Sequence, residues 1–367
     1  MIVKGIELDF FRNYLHMDAK FSPELNVICG ENAQGKTNLL EAVAYLSTAS
    51  SHRARYDKEF IQFGVDSAFI KGEILSRDRD FTLEARLSRN ARKQLFSNGV
   101  RLKTAGELAG VLNTVLFCPE DLYLIREGAG ERRRFLDSCI CQLRPRYAAA
   151  LAEYRKLYDQ KTRILRDWEE KPSLLDTLDD FNLRMAQTGA VLIHYRAHFI
   201  RKLREYAPPI HREFSGGREI LALRYETVKT VIDPEASPKE IFPQLLDHQE
   251  SHRQAELDAR QCLSGPHKDD LTVELDGMSA KQFASQGQTR TAALSLKLGC
   301  REIFFHDTGE WPVLLLDDVL SELDARRQAF VLGHINGGQV FITCCEDEKL
   351  EGLGREKVFR IHAGRLV

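Results

Sequence analysis

The sequence predicts an α/β protein whose main domain is assembled from both chain ends, with an antiparallel β meander and an inserted, mainly helical lobe. Three observations indicate this fold. A buried strand, a glycine-rich loop and an amphipathic helix follow one another within residues 26–46. Another apolar strand, at residues 313–316, ends in two carboxylates about 280 residues after the loop. Between them lies a charge-rich stretch with apolar residues at helical spacing. We therefore predict an N-terminal half-domain at 1–117, the lobe at 118–262 and a C-terminal half-domain at 263–367.

Residues 30–37 have the pattern Gly-x-x-x-x-Gly-Lys-Thr, which is typical of a phosphate-binding P-loop. Gly30 and Gly35 permit a tight turn in which backbone N–H groups converge on an anion, and the positive end of the following helix adds to the attraction. Lys36 supplies a positive charge for the β and γ phosphates, and the Thr37 hydroxyl suits Mg²⁺. The alternative is a chance glycine-rich turn before a helix. The predicted nucleotide-binding residues are Gly30, Glu31, Asn32, Ala33, Gln34, Gly35, Lys36 and Thr37.

The apolar run at 313–316 delivers Asp317 and Asp318 to a strand end. Beside a P-loop, Asp317 is placed to hold Mg²⁺, usually through water, and Asp318 to orient or deprotonate the attacking water. We therefore predict Lys36, Asp317 and Asp318 as catalytic residues, and Thr37 with Asp317 as the metal site. The alternative is a strand that ends in acidic turn residues. Arg12, at the end of a predicted strand, could reach the nucleotide; the alternative is a surface arginine.

Composition indicates a soluble globular protein, because 43% of the 367 residues are hydrophobic and 29% are charged. This length favours two structural lobes. The chain start lacks a signal-peptide layout and no apolar run has the length of a membrane span, so we expect a cytoplasmic protein. A net charge of −2 argues against coating nucleic acid by bulk positive charge, so DNA contacts would need a local basic face. The 8 cysteines form no Cys-x-x-Cys pair and are expected to be reduced, mostly buried thiols.

Local patterns predict the remaining elements. Expected strands lie at 6–10, 68–75, 81–87, 94–96, 100–103, 114–117, 220–225, 271–275 and 340–343. Asn98–Gly99 and Asp276–Gly277 are expected to form turns. Helices are expected at 132–143, 147–168, 173–206, 238–262 and 289–305, with breaks at Pro145, Pro172, Pro208, Pro209 and Pro243.

Three features remain open at this point. His194 and His198 are one helical turn apart and could hold a metal, but the alternative is a plain helix face. Arg126, Arg132, Arg133 and Arg134 form either a solvated face or a phosphate-contacting patch. The polar loop at 51–55, with His52, Arg53 and Arg55, has no role that the sequence assigns.

An ordered set of motifs resembles the RecF family, within the ABC-type ATPases of the SMC and Rad50 class. A Ser-x-Gly-Gln element shortly before the acidic strand carries the class resemblance. The motifs are Phe11-Arg-Asn-Tyr14, residues 30–37, residues 117–122, residues 133–137, Gly265-Pro-His-Lys-Asp-Asp-Leu271, Ser285-Gln-Gly-Gln288 and residues 315–324.

This resemblance implies a Rad50-like ATPase head that binds ATP and pairs head to tail with a second copy. Ser285, Gly287 and Gln288 of one copy would then cover the nucleotide of the other, and Ser321 and Asp324, in the D-loop, would cross the same interface. A hydroxyl, a glycine N–H and a helix N-terminus do make an anion cradle. Two departures from the transporter pattern predict slow hydrolysis: Asp318 stands where transporters have Glu, and Cys344 and Cys345 stand where they place a switch histidine.

The resemblance also implies a function. We expect a cytoplasmic, slow DNA-linked ATPase that forms an ATP-dependent homodimer on gapped or single-stranded/duplex junction DNA. It implies RecO and RecR as partners and a role in loading recombinase and in the SOS response. Arg132, Arg133 and Arg134 are the candidate DNA contacts. The alternatives are a transporter ATPase subunit, which would bind a membrane partner, and a structural chromosome organiser, which would need long heptad arms.

Overall fold

The computed structural model describes residues 1–51, 53–54, 56–335, 337–345 and 356–367, apart from the side chains of residues 322 and 356. In chain order the strands are β1 (Ile2–Phe11), β2 (Tyr14–Lys20), β3 (Leu25–Cys29), β4 (Ser67–Ser76), β5 (Arg79–Ser88), β6 (Gln94–Ser97), β7 (Val100–Arg101), β8 (Thr114–Phe117), β9 (Leu221–Glu226), β10 (Asp270–Leu275), β11 (Met278–Ser279), β12 (Val313–Leu316), β13 (Val340–Cys344), β14 (Glu356–His362) and β15 (Arg365–Leu366). The helices are α1 (Lys36–Thr48), α2 (Leu122–Arg126), α3 (Ala129–Leu143), α4 (Pro145–Asp167), α5 (Leu178–Phe214), α6 (Pro238–Ser251), α7 (Arg253–Ala259), α8 (Ala280–Phe283), α9 (Gln286–Thr308) and α10 (Ala325–His334).

The chain divides into two compact units. The first contains Met1–Asp121 and Ala293–Val367, and the second contains Leu122–Ala292. The second unit extends beyond the lobe predicted at 118–262, because β10 pairs with β9 and β11 pairs with β10 in one small antiparallel sheet. The strand at 271–275 therefore belongs to the second unit and not to the large parallel sheet.

A six-stranded sheet in the first unit joins the two chain ends. Its strand order is β15-β14-β3-β13-β12-β8. Strands β14, β3, β13, β12 and β8 run parallel, and β15 pairs antiparallel with β14. The strand that precedes the glycine-rich loop therefore lies between two strands from the C-terminal end of the chain. All four residues of β12 are buried, as expected for a central parallel strand covered on both faces. The predicted assembly from both chain ends is confirmed.

The second sheet of this unit is antiparallel, with the order β2-β1-β4-β5-β6-β7. It contains the predicted meander, and one of its tight turns lies at Asn98 and Gly99, whose φ values are 50° and 76°. Positive φ at both positions is the type I′ requirement. Strand β2 was not predicted; it pairs with β1 from Gly5 to Phe11. Residues of both sheets and α1 form one buried cluster that includes Leu8, Leu39 and Phe341.

The second unit is mainly helical. The predicted helix breaks at Pro208, Pro209 and Pro243 are wrong, since the first two lie inside α5 and the third inside α6. Each proline removes one helical hydrogen bond, at a cost of about 3 kcal/mol. Both helices nevertheless continue to bury side chains beyond the prolines, His211 and Phe214 in α5 and Leu245 in α6. Burial of that helical face therefore outweighs the lost bond. Among the described residues, no helix combines the length and the apolar character needed to cross a bilayer.

Candidate nucleotide-binding site

The glycine-rich loop has the backbone that its glycines permit. Gly30 and Gly35 have φ of 157° and 121°, a region that side chains strain. A Cβ at Gly30 would clash with the carbonyl oxygen of Ile361, and a Cβ at Gly35 would lie 2.8 Å from the Asn13 amide. Both positions therefore require glycine for close packing as well as for φ.

Two hairpin turns of the first unit support the loop through hydrogen bonds. The Asn13 amide donates to the Gln34 carbonyl at 2.7 Å, and the Tyr14 hydroxyl donates to the Gly35 carbonyl at 2.8 Å. On the other side, the Ala363 N–H donates to the Gln34 side chain at 2.6 Å, and the next N–H donates to the Gln34 carbonyl at 3.0 Å. Sequence reasoning missed these supports, although Asn13 and Tyr14 lie in a quoted motif.

Lys36 begins α1 and is 4% exposed. Its ammonium donates to the carbonyls of Gly30 and Glu31 at 2.7 and 3.1 Å, so it lies across the opening of the loop. Glu31, Asn32 and Ala33 are exposed on the rim. The loop therefore presents the charge, the open rim and the helix N-terminus that a polyphosphate needs.

Thr37 and Asp317 meet beside the loop. The Thr37 hydroxyl donates to Asp317 Oδ1 at 3.0 Å, and the Thr343 hydroxyl donates to the same oxygen at 2.9 Å. Thr343 Oγ1 also accepts from the Asp318 N–H at 2.8 Å. Burial raises the pKa of Asp317, while the hydrogen bonds from Thr343 and Thr37 oppose that shift. Sequence reasoning missed Thr343, since only the fold brings β13 beside β12.

Asp318 has φ of 52°, and its Oδ1 is buried with no hydrogen-bond partner among the described residues. A non-glycine residue at positive φ is strained, and such strain concentrates at functional sites. An unpaired buried carboxylate oxygen is available to accept a hydrogen bond from a water. This geometry is consistent with the role predicted for Asp318.

The donor set fits Mg²⁺ in the manner of nucleotide enzymes. Mg²⁺ there takes one or two protein oxygens and completes its shell with phosphates and waters. Thr37 and Asp317 supply two such oxygens, 3.0 Å apart. Within the described residues, no group of three or more His, Cys, Asp or Glu side chains could hold a metal ion by itself. His194 and His198, the candidate metal pair, belong to no such group. Each Nδ1 lies against a backbone carbonyl, that of Ala236 for His194 and that of His194 for His198.

The side-chain partners of Arg12 lie outside residues 30–37, on α1 and on the segment at residues 59–60. Its guanidinium forms a two-point ion pair with the buried Glu41, at 3.1 Å for each nitrogen, and donates to the Glu59 carbonyl. It also lies 4.8 Å from the centre of the Phe60 ring. The arginine therefore ties β1 to α1, and its reach to a nucleotide stays a prediction.

The D-loop residues have local partners. The Ser321 hydroxyl donates to the Asp318 carbonyl at 2.7 Å, and Asp324 caps α10 by accepting from the Arg327 N–H at 2.9 Å. In the second unit, Gln288 accepts from the Ser285 N–H at 2.9 Å and its own N–H donates to the Ser285 hydroxyl at 3.3 Å. Gly287 lies in the first turn of α9. Ser285 is exposed, which an interface role requires.

The arginine cluster divides: Arg126 and Arg134 are exposed, as the solvated-face alternative predicts, whereas Arg132 and Arg133 make buried or half-buried contacts. Arg132 is 5% exposed and forms a bidentate pair with Asp270, at 2.6 and 2.8 Å. Arg133 donates to the Asp269 carbonyl at 2.6 Å, and Arg134 pairs with Glu131 at the surface. Arg132 and Arg133 thus hold the second unit together, and the structure does not support them as DNA contacts. Burying an arginine requires such a partner, and Asp270 lies too far along the sequence to be recognised as one. His52 and Arg55 lie outside the described residues.

The motif at 265–271 is also structural. Asp269 is 1% exposed and accepts from the Arg196 guanidinium at 2.9 Å and from the Thr227 hydroxyl at 2.7 Å. His267 Nδ1 accepts from the Tyr154 hydroxyl at 2.8 Å, and its Nε2 donates to the Cys262 carbonyl at 3.0 Å. Burial lowers the pKa of His267 to about 4, so the ring is neutral. This motif joins α4 and α5 to the small sheet.

The fold and the site together define an ATPase head of the SMC and ABC class, with a P-loop, an acidic strand and a signature element. A family model described as the RecF/RecN/SMC N terminal domain matches residues 2–365. The head domain of an Smc protein from Pyrococcus furiosus has a TM-score of 0.57 at 16% identity, covering 100% of this chain and 96% of its own, which shows the shared fold.

More similar proteins narrow the class. The DNA replication and repair protein RecF of Agathobacter rectalis is 41% identical over 369 residues, covering 100% of this chain and 99% of its own length. RecF of Listeria innocua is 42% identical over 350 residues, covering 94% and 92%. A solved structure described as the recombination mediator protein RecF-ATP in the RecFOR pathway has a TM-score of 0.92 at 34% identity, covering 100% and 97%. The chain belongs to the RecF family.

Proposed function

We propose that this protein is a slow ATPase of recombinational DNA repair and replication, which pairs head to tail on ATP and holds gapped or single-stranded/duplex junction DNA. The observation that carries the proposal is the contact of Thr37 with Asp317, both fixed beside a P-loop in a fold that matches an ATP-bound relative. DNA replication and repair appear in the names of relatives that align over the whole chain.

The nucleotide chemistry follows from the residues at the site. On ATP binding, the Lys36 ammonium exchanges the carbonyls of Gly30 and Glu31 for phosphate oxygens. Mg²⁺, when held by Thr37 and Asp317, neutralises charge on the β and γ phosphates. Asp318 orients the attacking water through its unpaired oxygen. Aspartate is one methylene shorter than glutamate, and Cys344 and Cys345 replace a switch histidine, so we expect hydrolysis to be slow.

The partner copy completes the site in this proposal. Ser285, Gly287 and Gln288 would cover the γ phosphate of the opposing molecule, with Ser321 and Asp324 crossing the same interface. The exposure of Ser285 and the adjacent start of α9 support this assignment. ATP then closes the pair around DNA and hydrolysis releases it. A name such as RecFOR supports RecO and RecR as partners, and we include recombinase loading and the SOS response in the same proposal.

The test compares two variants in ATP binding and in sedimentation. Lys36→Ala should lose ATP binding, whereas Asp318→Asn should bind ATP, fail to hydrolyse it and sediment as a dimer on DNA. Binding to gapped DNA should require ATP and weaken steeply with salt, because counterion release drives it. DNA affinity that is indifferent to both ATP and salt would contradict the proposed ATP-dependent clamp on DNA.

A further inference from the structure

Three thiols border the nucleotide loop where β3 and β13 end. Cys29 is the last residue of β3 and directly precedes Gly30, and Cys344 is the last residue of β13 and directly follows Thr343. These two cysteines are register partners across parallel strands, and their sulfur atoms lie 3.1 Å apart. Cys345 lies against the loop, with its sulfur 3.2 Å from Asn32 Oδ1 and 3.6 Å from Lys36 Nζ.

The geometry allows Cys29 and Cys344 to bond without moving the sheet. Neighbouring strands lie about 4.8 Å apart, inside the range of roughly 4.4 to 6.8 Å that disulfides span between Cα atoms. Register partners on parallel strands also place their side chains on the same face. The sulfurs need to approach by about 1 Å to reach bonding distance, a shift that side-chain rotation supplies.

Access to the pair is one-sided. Cys29 is buried, Cys344 is half-buried and Cys345 is exposed. A small neutral oxidant can therefore meet Cys344 from solvent, while Cys29 lies behind it as the second thiol. Such a pair of an accessible and a resolving cysteine is common among reversibly oxidised thiols.

We propose that Cys29 and Cys344 form an oxidation site for hydrogen peroxide, in which the two thiols close a disulfide at the base of the nucleotide loop. The Cys344 thiolate attacks one peroxide oxygen and breaks the O–O bond, which gives a sulfenic acid and releases hydroxide. The Cys29 thiolate then attacks the sulfenic sulfur, forms the S–S bond and releases a second hydroxide. The two thiol protons convert both hydroxides to water, so two thiols are oxidised as one peroxide is reduced. A cytosolic dithiol reverses the bond by exchange.

The bond would connect the two strands that carry the site. Cys29 leads into Gly30, and Cys344 follows Thr343, whose hydroxyl holds Asp317 and the Asp318 N–H. A covalent link between these strand ends restrains Thr343 relative to the loop, and even small errors of position at reacting groups are costly. We expect ATP hydrolysis to fall at least about tenfold on oxidation. This consequence rests on the proposed function, whereas the disulfide itself does not.

The experiment uses the full chain, fully reduced and then treated with hydrogen peroxide, followed by tryptic peptide mapping without reductant. Cys29 and Cys344 lie in different tryptic peptides, residues 21–36 and 328–349. The linked pair should appear in the wild type, in Cys345→Ser and in the control Cys141→Ser, which removes a half-buried thiol elsewhere. It should be absent from Cys29→Ser and Cys344→Ser, and a dithiol should remove it from the wild type.

Two results would overturn the site: a link that survives in Cys344→Ser, which would make Cys345 the partner, or no link while Cys345 is oxidised. ATP binding and hydrolysis are measured on the reduced protein first. Failure there would contradict the proposed function and leave the mapping result unaffected. A quantitative link with unchanged hydrolysis would overturn the regulatory consequence alone.

Discussion

At the residue scale, one hydroxyl connects the two acidic residues of the site. Thr343 donates to Asp317 and accepts from the Asp318 N–H, and it is 3% exposed. Thr343→Val keeps the shape but leaves that N–H unpaired, which costs about 1 to 3 kcal/mol. We expect kcat for ATP hydrolysis to fall about tenfold or more, with a smaller change in KM, because binding depends mainly on the loop.

Thr343→Ser is the matched control, since it restores the hydroxyl and removes only a methyl group. Its kcat should return to within a few-fold of the wild type. The Mg²⁺ concentration for half-maximal rate should be highest in Thr343→Val and close to the wild-type value in Thr343→Ser. Equal loss in the valine and serine variants would show that packing, and not the hydrogen bonds, explains the effect.

His267 gives a pH prediction. Its folded pKa of about 4 lies below the ordinary histidine value of 6.5, so the unfolded chain binds the extra proton first as pH falls. The free energy of unfolding should therefore decrease from pH 6.5 towards pH 4, by at most about 3 kcal/mol from this group. In denaturant titrations, His267→Asn should lack this part of the decrease; identical pH slopes in both proteins would refute it.

The sequence predicted individual residues where the chemistry is local. Lys36, Thr37 and Asp317 lie together as expected, because a loop pattern and a strand end specify them within a few positions. The partners of Arg12 and Arg132 were not predictable, since Glu41 and Asp270 reach them only through the fold. Thr343 is a similar case, because an ordinary strand threonine gains its role from the neighbouring strand.

At the element scale, the C-terminal hairpin supports the loop. Gly364 has φ of 72°, and a Cβ there would clash with the Asn13 carbonyl, next to the amide that holds Gln34. Gly364→Ala should displace this support and weaken ATP binding about tenfold or more, as measured by titration calorimetry.

Gly99→Ala is the matched control. Gly99 occupies the equivalent position of the β6–β7 hairpin at φ of 76°, with nothing within 4 Å of a built Cβ. The Gly99→Ala substitution introduces the same backbone strain, about 1 kcal/mol, without the clash. It should lower stability and leave ATP affinity unchanged. Equal loss of ATP affinity in both variants would show that the C-terminal hairpin does not support the nucleotide loop.

Element bounds were predictable where local signals agree. The apolar run ending before Pro119 gave β8 at Thr114–Phe117, and Asn98–Gly99 gave the hairpin turn. Proline was misleading inside α5 and α6, because a local penalty of about 3 kcal/mol competes with burial that no local pattern records. Strand β2 was missed for the same reason, since its pairing with β1 defines it.

At the scale of the whole molecule, both ends of the chain were correctly assigned to one ATPase head. Two buried strands, one ending in phosphate-binding residues and the other in acidic residues, indicate this topology. The transporter alternative fails against the family match over residues 2–365, and the extent of each domain stays a prediction. Pairing of two heads is absent from any single-chain pattern and came from the family resemblance.

Pairing makes a final prediction about concentration. If each nucleotide is completed by Ser285 of a second molecule, ATP turnover per molecule should rise with protein concentration and approach zero on extreme dilution. Ser285→Arg should bind ATP as tightly as the wild type, remain monomeric in sedimentation with ATP and lose turnover at every concentration. The control is Ser173→Arg, which places the same charge on an exposed serine of the second unit. Turnover per molecule that stays constant on dilution would show that one chain alone forms a complete site.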